Sequence, residues 1–335
     1  MRSLLYALFA LAVPVAMVHA ADVDPYLPND TEAVLTINVR QILDAPFVKK
    51  EALADLRKKL EEGGSLLKHF KDLDLDPEKD IDSIVLTNSN GELDRSLLIV
   101  HGRFEVNKFE AKAMEIAKAH PDTWSVTTIP DGTGGQYKVL KSSQWFDLSG
   151  VKPTLKKKPA YVALLDKRVL VASPEKDLII DALDKAKGRK KTELKKKELS
   201  QLLEKANGKQ SVWIAVLPSA LGKVLPLDDD SSIREELAKI DAISGGFTID
   251  DDVKLEIALA VKDGDVAREL TTEINEGLNI ALTLVALASH EKKELEPALD
   301  ALKSLKATAK GNTIILKGAL TSEMIEKSLK NSNKK

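Results

Sequence analysis

Apolar residues along this chain follow two patterns that alternate from one end to the other. Short runs that are continuous, or that alternate with polar residues, predict strands at 33–39, 81–88, 96–103, 125–129, 137–141, 161–165, 169–172, 212–217, 243–249, 253–261 and 313–316. Longer stretches with apolar residues three or four positions apart predict helices that begin near 44, after 103, at 173, near 219, near 233 and near 265, and a last helix at about 322–329.

The same order of elements occurs in both halves of the chain. Each half opens as β-α-β-β-α-β, which is the order of the split βαβ, or ferredoxin-like, arrangement. A short match supports duplication, because Ile81-Asp82-Ser83-Ile84 recurs as Ile240-Asp241-Ala242-Ile243. The predicted fold class is α+β, with two tandem ferredoxin-like repeats, antiparallel sheets and helices packed on one face. The alternative is one large mixed sheet with helices on one face.

The predicted domain organisation follows from these repeats. We expect a signal peptide at 1–20, an irregular leader at 21–30, a first α+β repeat at 31–188, a basic amphipathic connecting helix at 189–208, a second α+β repeat at 209–330 and a disordered tail at 331–335. Gly188 ends the last predicted helix of the first repeat, and this glycine sets the boundary.

The first twenty residues carry the clearest functional signal. A basic start at Arg2 precedes an apolar run from Leu4 to Val18, and Val18-His19-Ala20 places small side chains at a signal-peptidase site. The run is shorter than the roughly 20 apolar residues that a spanning helix needs. We therefore expect cleavage after Ala20 and export to the periplasm or beyond, with no transmembrane span left after cleavage.

Composition and charge exclude several classes of function. The formal net charge is −2, so no global field attracts nucleic acid or anionic membrane. Aromatic residues make up 4% of the chain, which is few for a surface that stacks sugars or bases. There is no cysteine, and this excludes disulfides, iron–sulfur clusters, thiolate zinc sites and a cysteine nucleophile.

Motif spacing points to no cofactor, no metal and no catalytic residue. His69, His101, His120 and His290 have none of the spacings that place ligands on one helix face. The run at 72–76 resembles the start of a calcium loop, but Pro77 stands where glycine is required. The glycines at 132–135 precede a strand and not a helix, so they indicate a hairpin and not a phosphate loop. A Ser/His/Asp triad assembled in space stays open, because spacing does not test it.

Two surfaces are candidates for binding. The predicted long helix has a wide apolar face, and its candidate ligand or partner residues are Leu278, Ala281, Leu282 and Val285. Contact with the other repeat is the alternative for that face. The candidate residues for contact with an anionic surface are Lys190, Lys191, Lys195, Lys196 and Lys197. A solvated helix face is the alternative there.

The chain also resembles a group of uncharacterised exported bacterial proteins. The resemblance rests on Tyr26–Glu32, on Asp76-Pro77 ahead of Ile81–Ile84, and on 164–167 with 171–174. It implies export and the extent of the domains. The leading hypothesis is an exported non-catalytic protein that binds a partner protein or an apolar ligand in the cell envelope. The alternatives are a periplasmic hydrolase with a spatially assembled acid or serine site, and a peripheral binder of anionic envelope polymer.

Overall fold

The computed structural model describes residues 23–54, 57, 72–89, 95–131, 133–147, 154–205, 208–220, 238–291 and 295–325. The predicted signal peptide and the predicted tail lie outside these residues. The helices are α1 (Val39–Asp44), α2 (Pro77–Asp80), α3 (Val106–Ala119), α4 (Lys176–Ala186), α5 (Lys197–Lys205), α6 (Gly264–Glu291) and α7 (Glu296–Ser304), with a π-helical turn at Val48–Ala52.

Fourteen strands are described, and twelve of them form one sheet. The strands are β1 (Thr31–Ile37), β2 (Ile81–Ser89), β3 (Ser96–Gly102), β4 (Trp124–Pro130), β5 (Gln136–Ser142), β6 (Trp145–Asp147), β7 (Thr154–Lys156), β8 (Ala160–Asp166), β9 (Val169–Ser173), β10 (Val212–Val216), β11 (Ile240–Ile249), β12 (Val253–Val261), β13 (Lys306–Lys310) and β14 (Thr313–Leu320). The sheet order is β13-β14-β12-β11-β10-β1-β2-β3-β9-β8-β5-β4, and β6 and β7 form a separate pair. The α+β class is confirmed.

The ferredoxin-like arrangement is not confirmed. Every pairing between described strands is antiparallel, and β1 lies between β2 and β10. In a split βαβ unit the two strands joined by the helix run parallel and are separated by a third strand, whereas here β1 and β2 pair directly and antiparallel. The order of elements along the chain does not determine which strands pair. After a helical connection, the next strand can lie directly beside the previous strand or leave room for a third strand between them. The two halves therefore share one continuous sheet.

Helices cover both faces of the sheet, so the expectation of helices on one face is wrong. Neighbouring residues on β3 enter different cores, since Ile99 packs with α4 and α5 whereas Val100 packs with α3. Successive side chains on a strand point to opposite faces. This burial on both sides explains why β3 is a continuous apolar run instead of an alternating one.

The two halves still show the same strand order. On one side of the central β1–β10 pair the order is β1-β2-β3-β9-β8, and on the other it is β10-β11-β12-β14-β13. The register of β2 against β3 shifts at Asp82, and that of β11 against β12 shifts at Asp241. These aspartates occupy the same position in the short sequence match. An irregularity of this kind bends a strand and is a specific feature of its position.

The connection between the halves differs from the predicted helix. Of the residues that the structure describes in 189–208, the helical ones are Lys197–Lys205, and residues 190–196 run without regular structure beside the leader. Gly188 lies just beyond α4 with φ of 71°, which fits its predicted role as a helix stop. In the part of the chain that the structure describes, no helix has the length and apolar character needed to cross a membrane.

Candidate functional site

A cavity of about 370 Å³ lies against the centre of the sheet. Its floor comes from β1, β2, β3 and β10, and its walls come from α5 and from the leader before β1. The described residues that line it are Val23, Asp24, Pro25, Leu27, Val34, Thr36, Asn38, Ser83, Val85, His101, Leu203, Gly208 and Trp213. Because Trp213 belongs to the second half and Val34 to the first, the cavity spans the junction between the halves.

Strand register separates a polar end of this cavity from an apolar interior. Ser83 lies directly opposite His101 on neighbouring strands, so their side chains emerge on the same face. One step further into the sheet, Thr36 pairs with Val85 on one side and with Trp213 on the other. The apolar members Val34, Val85, Trp213, Leu27 and Leu203 belong to one buried core cluster. A bound molecule would therefore meet polar groups at one end and apolar side chains beyond them.

His101 and Asp24 form the tightest polar contact at this site. Nε2 of His101 lies 2.6 Å from Oδ2 of Asp24, and their side chains are 30% and 11% exposed. The other oxygen of Asp24 accepts the Tyr26 backbone N–H at 2.9 Å. Burial, followed by the charges of Asp166 and Asp24, raises the pKa of the Tyr26 hydroxyl. When a neutral His101 donates from Nε2, its Nδ1 is left as an acceptor.

Asn38 is fixed at the end of β1 by contacts to the strand beside it. Its side-chain Nδ2 donates to the carbonyl oxygen of Gln210 at 2.5 Å, and its backbone N–H donates to that of Ser211 at 2.8 Å. The amide orientation set by the first bond leaves its side-chain oxygen as an acceptor. Asn38 thus adds an acceptor to the polar end of the cavity.

The described part of the leader, residues 23–30, has no helix or strand and is held in place as a wall of the cavity. Nζ of Lys185 donates to the carbonyl oxygen of Leu27 at 2.6 Å and lies 2.6 Å from Oδ2 of Asp181. The Thr192 hydroxyl donates to the carbonyl oxygen of Pro25 at 2.5 Å. These contacts come from α4 and from the segment before α5, so both elements position Asp24.

The four apolar residues predicted on the long helix are not the exposed ones. Leu278, Ala281, Leu282 and Val285 lie on α6 and are half-buried. Three other apolar side chains of the same helix, Ile280, Leu284 and Leu287, are 62%, 61% and 65% exposed. None of the seven lines the cavity.

Two of the five predicted basic residues lie beside carboxylates. Lys190 lies 3.2 Å from Asp181 and 3.5 Å from Asp184, while Lys196 lies 3.5 Å from Glu32. Burial lowers the pKa of Lys190, but the hydrogen bond and charge of Asp181 and then Asp184 outweigh it and raise that pKa overall. Lys191, Lys195 and Lys197 are exposed.

Among the acidic and histidine motifs of the sequence, Asp76 caps a helix and His120 lies outside the cavity. Asp76 caps α2 by accepting the Glu78 backbone N–H at 3.0 Å. His69 lies outside the described residues, and of the histidine side chains that are described, only His101 lines the cavity. Within the described ranges, no group of three or more histidine, cysteine, aspartate or glutamate residues is placed to hold a metal ion.

Sequence reasoning missed Asp24, Asn38 and Ser83 as site residues. The available signal was weak: His101 is a titratable residue at the end of the apolar run Leu97–Val100, where a core side chain is expected. Asp24 reaches it only through the fold of the leader. A comparison of the chain with known protein families, with curated protein sequences and with solved structures finds no significant match.

Proposed function

We propose that this is an exported, non-catalytic protein that binds a small apolar ligand in the cavity at the junction of its two halves. The observation that carries the proposal is the pairing of an apolar interior with converging polar groups in one cavity of about 370 Å³. Ligand sites in proteins are concave and mostly apolar, with a few placed polar groups that fix orientation. Export rests on the signal-peptide pattern at 1–20 and on the resemblance to exported bacterial proteins.

The proposal also includes duplication of one ancestral unit. Its support is the shared order of five strands and the shared register shifts at Asp82 and Asp241. In this view the central β1–β10 pair joins two related units, and the ligand site arises where they meet. The ferredoxin-like description of each unit is not kept.

A ligand is favoured over a protein partner as the main occupant. The exposed stripe on α6 consists of Ile280, Leu284 and Leu287, and it lies outside the cavity in which apolar and polar groups are combined. An anionic polymer is not favoured either, because Lys190 and Lys196 lie beside carboxylates that balance their charge.

Binding of the uncharged fluorophore N-phenyl-1-naphthylamine to the mature protein tests the proposal. Its emission should rise on binding, and the variant Val85→Phe should abolish most of the rise by filling the cavity. The matched control is Val212→Phe, which adds the same volume on the opposite face of the sheet, where Val212 pairs with Ile37. Equal binding by wild type and both variants would contradict the proposal.

Ester hydrolysis is a second candidate, and one observation favours it. Asp24 holds Nε2 of His101, and Ser83 lies directly opposite His101 in the sheet register. In such a site the Ser83 hydroxyl attacks the ester carbonyl while His101 accepts its proton and passes it to the leaving alcohol, and water then releases the acid. Turnover of p-nitrophenyl butyrate that disappears in Ser83→Ala would establish it. The absence of turnover above the buffer rate would exclude this activity on short-chain esters.

A further inference from the structure

We infer that the cavity selects an uncharged amphiphile, with an apolar body and a head group that both donates and accepts hydrogen bonds. This inference rests on the proposed function and names its ligand class. A hydroxyl, a primary amide or the glycerol head of a monoacyl lipid has this chemistry. A fatty-acid anion or an alkylammonium ion does not.

The charges along the cavity are already matched to each other. Among the described lining residues the only ionisable groups are Asp24 and His101, and these two are in contact at 2.6 Å. Both carboxylate oxygens of Asp24 accept hydrogen bonds, from His101 and from the Tyr26 N–H. Neither group is left as a free counter-ion for a ligand.

The nearest buried lysine does not supply a positive charge to the cavity. Lys185 has a side chain that is 2% exposed, and its Nζ is held by Asp181 and the Leu27 carbonyl oxygen. A carboxylate brought into the cavity would lose its water without gaining an ion partner. Burying a charge without a partner is far more costly than burying a hydrogen-bonded neutral group.

The neutral groups at the polar end offer both donors and acceptors. The Ser83 hydroxyl can do either and the side-chain oxygen of Asn38 accepts, while Thr36, whose hydroxyl can also do either, lies one register step further in. A ligand hydroxyl satisfies this set, because it donates once and accepts as well. Strand register places the apolar Val34, Val85 and Trp213 beyond this end, where an alkyl chain would lie.

The test compares three ligands with the same alkyl chain and different heads: 1-decanol, decanoate and decylammonium. Each displaces N-phenyl-1-naphthylamine from the mature protein at neutral pH, below its micelle concentration. We expect the dissociation constant of 1-decanol to be at least about tenfold lower than that of either ion. None of the three is an ester, so the result does not depend on hydrolysis.

Each outcome separates this inference from the proposed function. If the fluorophore binds and either ion binds as tightly as 1-decanol, the inference is wrong and the proposed function stands. The same holds if the fluorophore binds and no decyl compound displaces it. If neither the fluorophore nor any decyl compound binds, the proposed function itself fails.

A variant connects the head group to the polar end. Ser83→Ala should weaken 1-decanol binding about fivefold, which is the value of one neutral hydrogen bond. Ser125→Ala on β4, which does not line the cavity, is the matched control. A Ser83→Ala protein that binds 1-decanol as wild type does would overturn the assignment of the head group to this end.

Discussion

The side-chain amine of Lys185 lies 2.6 Å from the carbonyl oxygen of Leu27, and this contact fastens the leader to helix α4. The lysine side chain is almost fully buried and also contacts Asp181. It therefore joins a segment that precedes the first strand to an element that lies more than a hundred residues later in the chain. The cavity wall at Asp24 and Leu27 depends on this attachment.

Replacing Lys185 with methionine should loosen the leader without leaving a buried charge. We expect the free energy of unfolding to fall by about 1–3 kcal/mol, because the Leu27 carbonyl loses a charged donor. Asp181 keeps Lys190 as a partner. Urea denaturation measures the loss, and Lys187→Met at an exposed position is the control. Equal stability of the two variants would show that the contact contributes nothing.

The glycine at position 246 should not tolerate a side chain. A Cβ on Gly246 would overlap the carbonyl oxygen of Val212 and the backbone of Trp213, neither of which can move freely within the sheet. Gly246→Ala should therefore cost about 1–3 kcal/mol and weaken fluorophore binding through Trp213.

The matched control for this substitution is Gly277→Ala on α6. A Cβ there meets no neighbouring atom, so alanine should stabilise the protein by about 0.5–1 kcal/mol through its higher helix propensity. Thermal unfolding of the two variants measures both effects. If Gly246→Ala left the free energy of unfolding unchanged, the strands at this point would have to be able to separate.

The capping aspartate of α2 should give a stability contribution that depends on acid. The hydrogen bond with Lys79 holds the pKa of Asp76 below its ordinary value of 3.8, with a further bond from the Glu78 N–H, against a smaller effect of burial. A lowered pKa in the folded state adds stability above the ordinary pKa, and that stability is lost as pH falls through the folded pKa.

Asp76→Asn isolates this effect, since asparagine caps helices about as well as aspartate. We expect the stability difference between wild type and Asp76→Asn to be largest above about pH 4 and to shrink below it. Asp76→Ala, which also loses the cap, should be less stable than Asp76→Asn by about 1 kcal/mol at every pH. Urea midpoints across the acid range measure both. A stability difference that stays constant with pH would contradict a lowered pKa of Asp76 in the folded state.

Helix α6 should respond very differently to substitution at its two ends. Leu270 is 7% exposed and packs in the core beneath the helix, so Leu270→Ala should cost about 2–5 kcal/mol. Leu284 is mostly exposed, and Leu284→Gln should change stability by less than about 0.5 kcal/mol. A large loss of stability in Leu284→Gln would show that the exposed stripe is buried in solution, for example by self-association. Sedimentation would then reveal the self-associated state.

Local sequence patterns predicted many of the strands and helices, because turn residues and helix-ending glycines act on neighbouring residues. The hairpin strands around Asn90-Gly91 and Lys310-Gly311-Asn312 were predicted from turn residues between apolar runs, and Gly188 was predicted as a helix stop. The repeat of Ile81–Ile84 at Ile240–Ile243 marked a shared register shift, although its meaning became clear only from the pairing. Element order did not predict strand pairing, which depends on contacts between distant segments.

The candidate site was out of reach for the same reason. His101 and Ser83 meet through a register that skips one residue, and Asp24 reaches them from an irregular segment with no periodic pattern. The polar residues that the sequence emphasised, such as Lys190 and Asp76, proved to be paired with nearby charges or backbone groups. Charge runs are visible in a sequence, whereas an isolated histidine at the end of a core strand is not distinctive.

The antiparallel pairing of β1 with β10 has a consequence for how the protein is made. Strand β1 ends at Ile37, and its partner β10 is not synthesised until Val216. During translation, one edge of β1 therefore waits without its hydrogen-bonding partner while most of the first half can already fold. Such an open edge is a template for wrong pairing. Arrival of β10 covers that edge and brings Trp213 to the cavity at the same moment, so the pairing of β1 and the closing of the pocket wall are one event.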